Sequence, residues 1–470
     1  MYSSYKAQSL AMKNLKTLLI SANVGSLFDD PENLFKKWLN QFYQVVRDKD
    51  PDFIALHCQE VGGKNFAQSM PNVKKWIQDL LASPDLKNYD RVRIFLDEDF
   101  KTAETFTALG SLYFVHSRVA DIRIWDFASS DFVNVKDTKV YDGSIESVGE
   151  KDKQKFPLEL FPNRTWSRKG YMRTRWQVGR LSFDLVNVHL FHDDSNLESM
   201  SRTPSIYADF RRGAFNWTLD QLRDGSASIE LPTFLFGDFN FRLDMVGYLK
   251  AVADGAERRE QSDKSGRPSR VDFLAAGDGE NGGCLLSVGK KLFERRSDNG
   301  ANEFYENKNC WLNELDFELK SFDQHLFEFP VTFPPTYPFS EDCQAPGAAT
   351  GYMATRLPGW CDRVLCSHSA RRALLCPPDQ PTQYAVLGLD DCLGDHKPVF
   401  LSTLLCTAAD AEADAAGCIL DPADMPSPPL LSRLLDQPGV QVKLTDRNGA
   451  VYAHVRRDGT TICVFRETAV

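Results

Sequence analysis

A long hydrophobic run is the first thing this sequence lacks. Lys6, Lys13 and Lys16 lead into only four or five apolar residues around Leu18 to Ile20, too short for a signal peptide or a membrane span, so a cytoplasmic location is the expectation. Paired cysteines of the kind that zinc or a redox motif uses are also missing. Of eleven cysteines ten lie from Cys284 onward and none forms Cys-x-x-Cys, which points to reduced thiols. Basic charge is in deficit: 55 Lys and Arg stand against 65 Asp and Glu, for a net charge of -10 and a pI near 5.4. Such a surface does not gather nucleic acid or anionic lipid as a whole, so an anionic ligand needs a local basic patch. No internal repeat is evident.

What is present is a substantial core. The chain is 42% apolar and 11% aromatic over 470 residues, enough for a globular protein larger than one ordinary domain. Residues 15–21 read as a buried strand, and Asp30-Pro31-Glu32 then supplies an N-cap, a proline at the first helical position and an acidic first turn. Leu34, Phe35, Trp38, Leu39, Phe42, Val45 and Val46 keep helical spacing up to residues 48–51, and residues 53–57 form a second strand. This is an α/β opening. Further strand-like runs fall at 109–115, 181–190, 233–236, 363–366 and 399–405. Residues 244–333 turn polar and glycine-bearing and read as a partly helical insertion, loosest at 277–283. From about residue 407 the composition shifts to Ala and Asp, then Pro, then β-like alternation at 440–466, which suggests a linker and a small appended segment.

Polar cassettes sit at the ends of these strands, where a buried polar group needs a partner and loops carry function. They are Asn23, Gln59-Glu60, His189, Asp238 with Asn240, Asp362, and Asp395-His396. Glu60 either holds Mg²⁺ as a hard carboxylate or is a capping or surface glutamate. Asp238 and Asn240, in Gly237-Asp238-Phe239-Asn240, suit orientation and deprotonation of a water, or a tight turn. His396, one of only eight histidines, could stabilise developing phosphoryl charge or be an ordinary polar residue. The missing basic patch lies in residues 167–176. If these form a strand, Lys169, Tyr171, Arg173 and Arg175 share one face, either as a polyphosphate site or as a charged edge strand.

Two longer blocks join these cassettes. One runs from Phe236 through Gly237-Asp238-Phe239-Asn240-Phe241-Arg242, the other from Arg356 through Pro358-Gly359-Trp360-Cys361-Asp362-Arg363, with Phe333-Pro334-Pro335-Thr336-Tyr337 ahead and Asp395-His396-Lys397-Pro398 behind. In content, order and spacing they resemble the signatures of the inositol polyphosphate 5-phosphatases. The resemblance covers about residues 15–405, and Asn23 to Asp30 with Trp166 to Gly170 is similar to the type I branch, which handles soluble inositol phosphates.

The resemblance implies a four-layered α/β sandwich of the DNase I-like type. It also implies Mg²⁺-dependent removal of the 5-phosphate from inositol 1,4,5-trisphosphate and inositol 1,3,4,5-tetrakisphosphate, within a catalytic domain spanning residues 1–406. By matching position, Glu60 would be the principal metal ligand, with Asn23 beside it and Asp395 close by. Asp238 would activate water, Asn240 would orient it, and His396, held by Asp362, would stabilise the pentavalent phosphorus. His189 would touch phosphate, and Lys169, Arg363 and Lys397 would meet substrate phosphates alongside Arg173 and Arg175. Cys361 has no Cys-x5-Arg loop and is expected to be structural.

The chain departs from the pattern at Gly359, where the family has a small alanine or serine, and after Tyr337, where the lipid-cleaving branch has lysine. A lipid substrate is accordingly the second reading, and a non-catalytic binding module the third. The type I branch often ends in a prenylated cysteine box, whereas this sequence ends Glu467-Thr468-Ala469-Val470. Thr468-Ala469-Val470 fits the terminus that PDZ domains bind, so a PDZ partner and at most peripheral membrane contact are expected. No nucleic-acid partner is expected.

Overall fold

Side-chain alternation along the strands sorts the hydrophobic residues into three interfaces. In the computed structural model the described residues are 14–223, 231–275, 283–296, 304–305, 311–345, 347, 350–377 and 380–407, with the backbone of 440–447, 450–457 and 460–467. Along the strand Asn14–Asn23, Leu18 and Ile20 pack with Leu34, Trp38, Phe42 and Trp76 of the helices Pro31–Lys49 and Phe66–Leu81. Leu15 and Leu19 point the other way, into a cluster with Phe53, Tyr113, Trp176, Leu185 and Phe236. Leu185 faces that same cluster, whereas Val186 and Val188 pack on Tyr207, Phe215 and Leu219 of the helix Ile206–Arg223. A period of two thus gives each sheet one face for helices and one for the other sheet. The result is a four-layered α/β sandwich.

The first sheet has the order Leu374–Leu375, Val399–Cys406, Asn14–Asn23, Phe53–Gln59, Gly110–Val115, Arg91–Leu96, Thr138–Tyr141, with Gln383–Val386 also paired to Val399–Cys406. The second runs Leu326–Glu328, Asp362–Ser367, Thr233–Asp238, Leu181–His189, Gly170–Val178, Ile122–Asp126, Asp131–Asn134, with Asp152–Lys155 added beside Gly170–Val178. The expected helix after Asp30 is present, although Asp30 accepts from the Asn33 side chain at 3.0 Å and makes no side-chain bond to the helix backbone.

Residues 244–333 are partly helical as expected, at Met245–Val252 and in short turns at Trp311–Glu314 and Glu318–Phe322, but they also hold a sheet that was not expected. After the helix Met245–Val252 comes a four-stranded antiparallel sheet, Glu257–Ser262, Pro268–Leu274, Cys284–Gly289 and Leu292–Arg295. Its first strand, Glu-Arg-Arg-Glu-Gln-Ser, is exposed throughout, so it carries no apolar alternation to betray it. Most of the loosest stretch, residues 276–282, lies outside the described residues. The expectation of reduced thiols also fails at one pair: Cys343 and Cys392 are joined by a disulfide, with their Cα atoms 5.4 Å apart. They are 49 residues apart in sequence, and spacing does not reveal such a pair. Residues 1–411 form one compact unit and 412–470 another. In the second, Val440–Arg447, Ala450–Arg457 and Thr460–Glu467 form an antiparallel three-stranded sheet.

A polar seam crosses the otherwise apolar layer between the two large sheets. His57 Nδ1 meets the Phe236 carbonyl at 3.2 Å, which can only accept, so the proton sits on Nδ1 and Nε2 accepts from the Tyr113 hydroxyl at 2.9 Å. Tyr113 in turn accepts from Thr174, which accepts from the Trp176 indole. Beside this chain Gln59 Nε2 donates to Asn187 Oδ1 at 2.8 Å, and Asn187 Nδ2 reaches the carbonyls of Cys58 and Gly110. Asn187→Ala would strip partners from Gln59 and two buried carbonyls, and should cost about 3 kcal/mol by urea denaturation.

Burial holds the His57 pKa down to about 3, against the Phe236 bond that favours the proton. The unfolded chain takes up that proton near pH 6.5, so the stability from a neutral His57 is present above about pH 6.5 and lost as pH falls toward 3. His57→Gln, less stable at pH 7, should therefore show a shallower loss of stability between pH 6.5 and 4 by circular dichroism. A slope equal to that of the native sequence would assign the acid sensitivity to other groups.

Candidate active site

Strand register brings the polar cassettes to one rim. His189 lies opposite Asp238, and Asp238 opposite Asp362, across three neighbouring strands of the second sheet. In the first sheet Asn23 lies opposite Gln59, the residue before Glu60, while Ser21 lies opposite Val399, three residues after His396. Asn23, Glu60, Asp238, His396, Arg168, Lys169 and the loops carrying Tyr337, Glu341 and Asp395 line a cleft of about 550 Å³, with His189 and Asp362 buried behind it. Three of its residues hold left-handed backbone that only glycine adopts freely: Glu60 (φ 57°), Arg168 (φ 61°) and Asn240 (φ 52°). Strain of that kind, borne by side chains that line one cleft, marks a functional site.

Asp238 is the hub. Its Oδ2 accepts from Asn23 Nδ2 at 3.1 Å and lies 3.3 Å from His189 Nε2, while Oδ1 accepts the Asn240 backbone N–H at 2.9 Å. Burial alone would raise its pKa, but His189, His396 and Lys169 hold the carboxylate well below its usual range. Asn240 spends its side chain on the Leu190 carbonyl and on Arg242, whose Nη2 donates to Oδ1 at 2.7 Å. His189 is kept neutral by burial and by the adjacent Lys169 ammonium, with a pKa of about 4. Lys169 is itself pulled down to about 8 by burial, against Asp238 and Glu60.

The second centre is a buried ion pair. His396 Nδ1 donates to Asp362 Oδ2 at 2.8 Å, and Thr336 donates to the same oxygen at 2.7 Å. Burial opposes charge on the ring, yet Asp362 and Asp238 carry the His396 pKa up to about 10, so it is an imidazolium at neutral pH. The Tyr337 ring packs on it with centroids 4.5 Å apart.

Oxygen donors for a hard cation gather beside Asp238. Burial would raise the Glu60 pKa, but neighbouring cations bring it down to about 2, and Arg168 Nη2 stands 3.9 Å from Oε2. A Cβ on Gly25 would come within 2.9 Å of Glu60 Oε2 and 3.3 Å of Asn23 Oδ1, so glycine keeps the space beside both oxygens free. Glu60 and Asn23 thus fit a divalent ion that prefers oxygen ligands. Asp238, Asp362 and His396 also bring ligand atoms within 4.8 Å of one another. Asp395 is instead held by the Ser26 hydroxyl at 2.7 Å, with Lys64 3.8 Å away.

Residues 308–402 match the Endonuclease/Exonuclease/phosphatase family 2. Inositol polyphosphate-5-phosphatase A of Canis lupus familiaris is 43% identical over 399 residues, which cover 84% of this chain and 95% of the canine protein. The chain belongs to the type I inositol polyphosphate 5-phosphatase family. A probable type I inositol 1,4,5-trisphosphate 5-phosphatase of Caenorhabditis elegans is 33% identical over 421 residues, covering 82% of this chain and 98% of that one. Among solved structures, the 5-phosphatase domain of a synaptojanin in complex with inositol 1,4-bisphosphate and calcium ion overlaps with a TM-score of 0.44 at 14% identity, over 85% of this chain and 88% of that one.

Of the residues that the 5-phosphatase signatures single out, Asn23, Glu60, Lys169, His189, Asp238, Asn240, Asp362, Asp395 and His396 come together around the cleft. Four others do not, which corrects the reading of the basic patch. Arg173 and Arg175 both grip Asp184 on the neighbouring strand, at 2.6 Å and 2.7 Å. Arg363 is buried between Asp316 at 2.7 Å and Glu328 at 2.9 Å. Lys397 donates to the carbonyls of Gly388 and Asp391. Each has its charge or donors satisfied inside the fold. Of the five cations assigned to substrate, only Lys169, just ahead of the strand Gly170–Val178, lines the cleft.

The cleft also holds cations that the sequence reading left without a role. Arg242 and Arg356 sit inside the signature blocks, and Arg168 lies beside Lys169. Lys64 and Lys291 have no sequence signal at all. Arg242 stacks over the Tyr337 ring at 4.6 Å, and its Nε and Nη1 are buried without a partner.

Gly25→Ala should fold normally, because the atom its Cβ meets is the free end of a side chain. It should nevertheless lower kcat for phosphate release about 10- to 100-fold by displacing the Glu60 carboxylate. Near-native activity would show that the space is dispensable.

Proposed function

We propose that this 5-phosphatase removes the 5-phosphate from inositol 1,4,5-trisphosphate and inositol 1,3,4,5-tetrakisphosphate, with Mg²⁺ as cofactor, and so ends calcium-mobilising signals. The observation that carries this reading is the juxtaposition in one cleft, with ligand atoms within 4.8 Å, of a carboxylate held ionised (Asp238) and an imidazolium held protonated (His396). In-line attack of water on a phosphomonoester needs an oriented nucleophile and neutralisation of charge on the phosphoryl oxygens, and no covalent intermediate. Asp238, fixed by Asn23 and by the Asn240 N–H, would accept a hydrogen bond from the attacking water. His396, with Nδ1 committed to Asp362, would offer Nε2–H to a phosphoryl oxygen. Lys169 and Arg168 would add positive charge at the near wall, and His189 would help hold Asp238. Mg²⁺ bound at Glu60 and Asn23 would supply Lewis-acid stabilisation of the leaving oxygen.

Soluble substrates are favoured because Tyr337 is followed by Pro338, where the lipid-cleaving branch has lysine. No helix among the described residues is long and apolar enough to cross a membrane. A cytoplasmic location with peripheral recruitment through a PDZ partner goes with this reading, and Thr468-Ala469-Val470 lies outside the described residues.

Incubation with inositol 1,4,5-trisphosphate and Mg²⁺ should yield inositol 1,4-bisphosphate, and chelation of divalent ions should stop it. Asp238→Ala should lower kcat at least about 10³-fold while the far-UV circular dichroism spectrum of the folded chain is retained. Turnover of a phosphoinositide lipid without turnover of the soluble trisphosphate would overturn the substrate assignment.

A further inference from the structure

The four-stranded sheet of residues 257–295 reaches the cleft through a single turn. Gly289 pairs with Leu292, so Lys290 and Lys291 form the two-residue tip of the hairpin Cys284–Gly289 and Leu292–Arg295. That tip is fastened from below. The Asn196 N–H donates to the Lys290 carbonyl at 3.1 Å, and Asn196 Nδ2 to the carbonyls of Leu292 and Thr355 at 2.9 and 3.0 Å. Arg356 Nη1 adds a second donor to the Lys290 carbonyl at 3.0 Å. A tip tied at its own backbone has a fixed orientation, and the residue of the tip that lines the cleft is Lys291, not Lys290.

Lys291 differs from Lys64 and Arg168 of the same cleft. Lys64 is paired with Glu341 at 2.6 Å, and Arg168 stands against Glu60. Lys291 makes no ion pair among the described residues, yet it shares the cleft with Glu60, Asp238 and His396. A cation left unneutralised in an enzyme whose net charge is -10 is suited to an anionic group of the ligand.

We infer that Lys291 is a specificity-determining residue that contacts a phosphate of the substrate other than the one removed, and that the inserted sheet serves to place it there. This rests on the phosphatase reading above. The ligand chemistry is a phosphomonoester or phosphodiester on an inositol ring, present both in free inositol polyphosphates and in phosphoinositide head groups. Lysine binds it as a point charge, which suits a contact made at the rim.

The test is steady-state kinetics of the full-length chain with inositol 1,4,5-trisphosphate, and with phosphatidylinositol 4,5-bisphosphate in detergent micelles. Lys291→Ala should raise KM for the soluble substrate about fivefold, and Lys291→Glu by more than tenfold, each with kcat within about twofold of the native value. Lys290→Ala, at the same turn but outside the cleft, should leave KM unchanged. A penalty on the soluble substrate, with or without one on the lipid, supports the contact. An unchanged KM, an equal effect of Lys290→Ala, or a penalty confined to the lipid would overturn it. Failure of the native chain to release phosphate from either substrate would instead remove the underlying functional reading.

Discussion

The site depends on the polar seam between the two large sheets. Asn23, Glu60 and His396 belong to the first sheet and its loops, whereas His189, Asp238 and Asp362 belong to the second. Hydrophobic contact alone fixes how far apart two sheets stand but tolerates sliding, because it is not directional. The bonds from His57 to Phe236 and from Gln59 to Asn187 are directional, and lie within a few residues of the rim. They set which strand ends face each other. A shift of one residue would turn Asn187 out of the seam and separate Asn23 from Asp238.

Charge within the cleft is arranged by the same logic. A buried carboxylate is costly unless it is paired and hydrogen-bonded. Asp238 meets that cost through Asn23, His189 and the Asn240 N–H, and Asp362 through His396 and Thr336. The two carboxylates sit in different company, which drives their protonation and that of the histidines apart. Differences of this kind let one cleft hold an ionised carboxylate beside a protonated imidazole at the same pH. Arg173, Arg175 and Arg363, by contrast, are neutralised by carboxylates inside the fold.

Much of this was legible along the chain. Strand-like runs ending in Asn23, His189 and Asp238 marked the rim, since a polar residue closing an apolar strand needs a partner. The helix after Pro31 followed from its spacing. The inserted sheet was not legible, because its first strand is charged and wholly exposed. Arg173 and Arg175 were misleading for a related reason: an alternating basic strand looks the same whether its charges face a ligand or a single aspartate on the next strand. Asp184, nine residues beyond Arg175, gave no sign that it would neutralise both.

By itself the sequence determined the layered α/β class, the family and the polar residues that close the strands at the rim, because period-two alternation and short motifs are local properties. Tertiary structure alone decided which of the cations remain available, since neutralisation depends on distances between residues far apart in the chain. It also decided that Cys343 meets Cys392 and that Lys291 reaches the cleft from an inserted sheet. No local pattern encodes those meetings; they follow from the register of the strands and the bonds that fix it.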